Sequence, residues 1–214
     1  MGLFDWFRKA TAIRLTSDLQ QFMDAHAAFI AQKGVYEYSR ARAGHYSKVL
    51  FTEQPFIEAV DRSRWQAYPL ALAMVGELAE GILRPHSGGK AAEIPAVISA
   101  VALSVFDSHP VPAMLGADSW STERELLGRR LLQVGLHPPK FAMDVPVPYA
   151  KAYFDLMPIH QKLRQSEIPT ITNYLKVTLC NVHDQLSNRV DGPALIGSLR
   201  DWMNTPVGRD ASRR

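Results

Sequence analysis

Tyr38, Arg42, His45 and Tyr46 are the residues whose types and spacing best suit the binding of an anion. They fall in the stretch Tyr36 to Tyr46, where positions 35, 38, 42, 46 and 49 form one seam at helical spacing. That seam places Arg42 on a face expected to be apolar. A guanidinium buried there is costly unless it is paired and hydrogen-bonded. An internal carboxylate such as Glu77 satisfies it, or an anionic ligand does, with the tyrosines stacking and donating beside it.

Catalytic spacings are sparser. Cys180 and His183 lie one turn apart, the arrangement of a thiolate–imidazole pair, but a nucleophilic thiol needs a partly exposed electropositive site. A lone cysteine among apolar neighbours reads more simply as a small core residue. Ser119, in Gly116-Ala117-Asp118-Ser119-Trp120, lacks the G-x-S-x-G frame and reads as a helix cap. His109 stands near Asp107 in sequence, which says nothing about a triad built in space. A hydrolase or thiol enzyme using Ser119, His109 or Cys180 is therefore one alternative. Glu77 and Glu80 occupy neighbouring turns with no histidine beside them, so a solvated or helix-dimer edge is expected. The seven histidines are scattered singly, without zincin or di-iron spacing. Gly88-Gly89-Lys90-Ala91 fails as a phosphate loop because position 84 is Arg and Ala91 has no hydroxyl for magnesium. No metal and no cofactor is expected.

The first residues are distinctive. Leu3, Trp6, Phe7, Ala10 and Ile13 share one face of a helical wheel with Phe4 at its margin, opposite Asp5, Arg8 and Lys9. Aromatics beside consecutive cations suit a helix lying in a membrane interface. Burying four such large side chains gains roughly 6–12 kcal/mol before ordering costs. Docking of the same face on the protein's own domain, or on a partner, is the competing reading. Trp6 stands where a myristoylation motif requires Ser or Thr.

These residues need a scaffold, and the composition provides for one. The chain has 214 residues, 47% hydrophobic and 21% charged, with one cysteine, so a disordered chain or a disulfide framework is excluded. Surface scaling has roughly 70% of the extended chain's area buried on folding, enough for one sizeable core. Residues 1–50 carry seven Lys/Arg against four acids, the whole net charge of +3. That is no cationic stripe, and nucleic acid is not an expected partner. No apolar run reaches the 18–20 residues, roughly, of a membrane span.

Apolar spacings of three and four predict helices over 16–32, 35–48, 52–62, 65–84, 91–106, 121–134, 149–157, 166–189 and 193–204, with Gly34 and Ser63 as breaks. Residues 135–147, rich in proline, read as an extended linker. The reading is thus all-α: an amphipathic segment over 1–15, one irregular domain of about eight or nine helices over 16–204, and a disordered polar tail over 205–214. The leading function is a non-catalytic cytoplasmic adaptor or regulatory protein, docked peripherally on the inner face of a membrane or on a membrane-bound partner. Leu3, Phe4, Trp6, Phe7, Arg8 and Lys9 would do the docking, on a protein partner or an anionic membrane surface, with self-association as a further option. The first alternative is an anionic-ligand-binding domain using Tyr38, Arg42, His45 and Tyr46.

Overall fold

Two long helices frame the molecule because their apolar residues line up over seven or eight turns. The computed structural model describes residues 11–160 and 167–213. Helix α1 (Thr16–Ala43) buries Leu19, Met23, Ala27, Ile30 and Val35, a recurrence of three, four and five residues. Helix α3 (Gln54–Leu83) is buried on almost every side from Ala67 to Glu80, so it forms the centre. Both run through the expected breaks. Gly34 continues α1 because an aromatic neighbour crosses there, and the Ser63 hydroxyl donates back to the Ala59 carbonyl at 2.8 Å instead of capping a new helix.

The remaining elements among the described residues are α2 (Ser47–Leu50), α4 (Ile94–Asp107), α5 (Ala117–Val134), α6 (Ala150–Asp155), α7 (Ile168–Ser187), α8 (Gly192–Met203) and α9 (Pro206–Arg213). There are eight helices of six residues or more, together with the single-turn α2, and no strand among the described residues. The chain is an all-α single domain. α3 packs against α1, α4, α5 and α7, and one continuous core joins them. α5 begins at Gly116, whose φ of 76° only glycine adopts readily, so Ser119 lies inside the helix and does not cap it.

The expected disordered tail is a helix instead. The Thr205 hydroxyl accepts from the Gly208 amide at 3.2 Å, Pro206 suits the first turn, and α9 packs on α4 and α8 with Ala211 buried. At the other end, Ile13 is 1% exposed and pairs in parallel with Val190, its amide donating to the Arg189 carbonyl at 2.8 Å. The expected docking residues Leu3, Phe4, Trp6, Phe7, Arg8 and Lys9 lie outside the described residues. No described helix is long and apolar enough to cross a membrane.

Candidate functional site

The seam through Tyr38 and Arg42 resolves into an internal contact. Arg42 pairs with Glu167 at 2.8 Å, and the Tyr38 hydroxyl donates to the same carboxylate at 2.6 Å. Glu167, which precedes α7, therefore takes the part expected of Glu77. The seam ends at Gly44, where the backbone tightens into a 3₁₀ turn over Gly44–Tyr46. His45 is exposed and Tyr46 is 75% exposed, so these two do not join Tyr38 and Arg42 around a pocket.

His109 meets an acid, but not Asp107. Its Nε2 lies 2.8 Å from Asp24 Oδ1, and the Tyr68 hydroxyl donates to that same oxygen at 2.7 Å. Burial and the Asp24 carboxylate both push the Tyr68 phenol far above its ordinary range, so it stays a donor. Asp107 forms a two-pronged pair with Arg124 at 2.7 and 2.8 Å. Neither Ser119 nor Cys180 is hydrogen-bonded to His109, and half-buried Cys180 is a free thiol. The Asp24–His109–Tyr68 cluster ties α1, α3 and the segment after α4 together, and no nucleophile is bonded to it among the described residues. Nor does any described group of three His, Cys, Asp or Glu residues converge at metal-binding range.

The acids expected on a solvated edge are the most buried charges described. Glu77 is 5% exposed and Glu80 1%, because α3 is the central helix and has no solvated side over that stretch. Each carboxylate is met by a cation, Glu80 by Arg84 at the end of the same helix and Glu77 by Lys140 from the segment after α5. Arg84 Nε donates to Glu80 at 2.6 Å, and the same guanidinium donates to the carbonyls of His137 at 2.9 Å and Val134 at 3.3 Å. Arg84 thereby holds the turn that ends α5. Three residues beyond that turn, Lys140 reaches back to Glu77 at 2.8 Å, and the Tyr149 hydroxyl points at its other oxygen at 3.4 Å. Burial and the Glu77 charge raise the Tyr149 phenol, which therefore remains protonated.

Beside this pair opens a cavity of about 410 Å³, near the lower end of the range for ligand sites. Glu77, Arg130, Gln133, His137, Lys140 and Tyr149 supply its polar wall, and Leu70, Val134, Leu136, Pro148 and Ala152 the apolar remainder. Arg130 is its unusual member. Nη1 is shut off from solvent with no acceptor, and the side chain forms no ion pair among the described residues. A shielded guanidinium N–H normally has an acceptor, because leaving it unmade costs more than a bond gains. Its charge is felt at Tyr149 and at Glu123, whose carboxyl burial pushes up.

Sequence reasoning missed Arg130 and Lys140, although Arg130 left a trace. It sits three residues after Leu127 and four before Val134, both buried, so it shares the helix face turned inward. Glu77 and Glu80 carried the same sign, as charges inside a helix apolar around most of its circumference. Lys140 carried none, since the proline-rich segment has no periodicity to orient it. Protein-family models, curated proteins and solved structures were all compared with this chain, and none of them matches it.

Proposed function

We propose that this is a non-catalytic helical binding protein that holds a small carboxylate with an apolar body in the cavity between α3, α5 and the segment before α6. The observation that carries the reading is a wall that holds two cations, Lys140 and an Arg130 with no ion pair among the described residues, against only one carboxylate, already engaged by Lys140. A ligand carboxylate pairs with the Arg130 guanidinium in the strong, charge-assisted form. The ligand's apolar body then covers Leu70, Val134 and Ala152.

Octanoate is the probe, with inorganic phosphate as the head-only control, titrated by calorimetry. Octanoate binds the wild type, phosphate binds less well, and Arg130→Met weakens octanoate by about ten- to a hundredfold, the worth of one hydrogen bond to a charged group. Equal octanoate affinity in wild type and Arg130→Met, with the variant still folded, ends this reading.

A second reading, peripheral docking through residues 3–9, is favoured by the exposure of Thr11. Ile13 closes the core, while Thr11, two residues before it, is exposed. Truncation must therefore stop before Ile13. Phosphatidylserine vesicles sediment the intact chain and leave a chain lacking residues 2–10 in solution; equal sedimentation of the two removes the membrane from consideration.

A further inference from the structure

The largest cavity described is a groove of about 1000 Å³ between α1 and α7, and it carries apolar side chains that nothing in the described fold covers. The helices run antiparallel: Tyr174 of α7 reaches the Ile30 carbonyl near one end, and Arg189 lies over the Phe22 ring at the other. Exposed Phe29 and Val177 line it, with Lys33 toward the first end and Asp184 toward the second. His26, whose imidazole is held below its usual range by burial and by the Arg189 charge, packs on Phe22 at 4.1 Å between centroids.

We infer that this groove is the seat of the protein's own residues 3–9. The chain direction supports it first. The parallel pairing of Ile13 with Val190 runs Thr11 to Ile13 alongside Arg189 and Val190, and Asn188, the next residue in that direction, lines the groove. Arg189 Nε donates to the Thr11 carbonyl at 3.0 Å and fixes that point of departure. Length supports it next. From Asn173 to Asn188 the groove follows α7 for roughly 22 Å, while residues 3–10 span roughly 12 Å as a helix and roughly 27 Å extended. Charge agrees as well: in the sequence Arg8 and Lys9 come first upstream of Thr11 and Asp5 later, while the groove carries Asp184 toward the Arg189 end and Lys33 toward the other. Extended, the segment reaches the far end of the groove, and Leu3 and Phe7, an even number of residues apart and so on one side of the chain, cover Phe29 and Val177.

This inference uses the amphipathic segment of the second reading and deepens it. A segment seated in the groove cannot also present that face to a membrane, so groove and membrane compete for it. Limited tryptic digestion of the full chain, followed by mass spectrometry, tests the seat through cleavage after Arg8 and Lys9. Phe29→Glu/Val177→Glu, at two exposed positions, speeds this cleavage at least fivefold over wild type. Leu3→Asp/Phe7→Asp does the same without touching the folded body, which keeps the test valid if the groove variant fails to fold. Equal cleavage rates in wild type and both variants overturn the seat. A chain that ignores vesicles yet shows the protection keeps the seat and loses only the membrane; one that binds vesicles but is cleaved equally fast loses the seat and keeps the membrane.

Discussion

Gly34→Ala lowers stability by about 3 kcal/mol, even though alanine in a helix interior is ordinarily favoured over glycine by about 1 kcal/mol. The reason is the ring that crosses α1 at this turn. A Cβ at position 34 would collide with the Tyr153 hydroxyl and lie 2.8 Å from Cε1 of Tyr174. Tyr153 cannot retreat, because it is fully buried and its hydroxyl donates to the Ile30 carbonyl at 2.7 Å. Making room means displacing that ring and breaking its bond, so overpacking and an unsatisfied hydroxyl add together. Gly197→Ala is the matched control. It lies in α8 with nothing within 4 Å of the new Cβ, so it raises stability by about 0.5–1 kcal/mol. Chemical denaturation of both variants checks the opposite signs. A stable Gly34→Ala would mean that Tyr153 has another place to go.

The same glycine shows why the helical class was legible and the helix boundaries were not. Apolar spacing reports which face of a helix is buried, and that periodicity runs through Leu19, Met23, Ile30 and Val35 without interruption. Gly34 was read as a stop because its local cost argues for one. The structure keeps it for a close approach from α6, 119 residues further along the chain. Ser63 misled in the same way, its hydroxyl bonding back into its own helix. Thr205-Pro206 misled in the other direction. A cap and a first-turn proline were present, yet a polar composition outweighed them, and the helix forms because it packs on α4.

The site divides along similar lines. Arg42 meets a carboxylate, but not for the reason its helix face suggests: the residue is exposed rather than buried, and its partner, Glu167, was not readable, since pairing in space leaves no mark on spacing. Glu77 and Glu80 stood out as a pair but were placed on a solvated edge. Their burial depends on α3 being surrounded, a property of the whole assembly that one helix's pattern understates. Arg130 becomes interpretable only once Lys140 and Tyr149 are known to close the same wall.

Arg84 is where fold and cavity depend on one side chain, and its loss has the largest effect. Arg84→Met removes the cation from a carboxylate that is 1% exposed, leaving both Glu80 oxygens without a donor; Oε2 has none even now. It also frees the Val134 and His137 carbonyls that the guanidinium holds. Removing one partner of a buried pair costs about 3–5 kcal/mol, far more than the pair itself contributes. At neutral pH the variant is therefore destabilised by that amount. Replacing both members, Glu80→Leu with Arg84→Met, recovers most of the loss by removing the stranded charge. Urea unfolding of the two singles and the double closes the cycle. If the double is no more stable than Arg84→Met alone, the stranded carboxylate is not the cause, and the two backbone carbonyls are. In that case the turn carrying Lys140 has moved, and octanoate binding is lost in both Arg84 variants; if the carboxylate is the cause, the double variant binds it again.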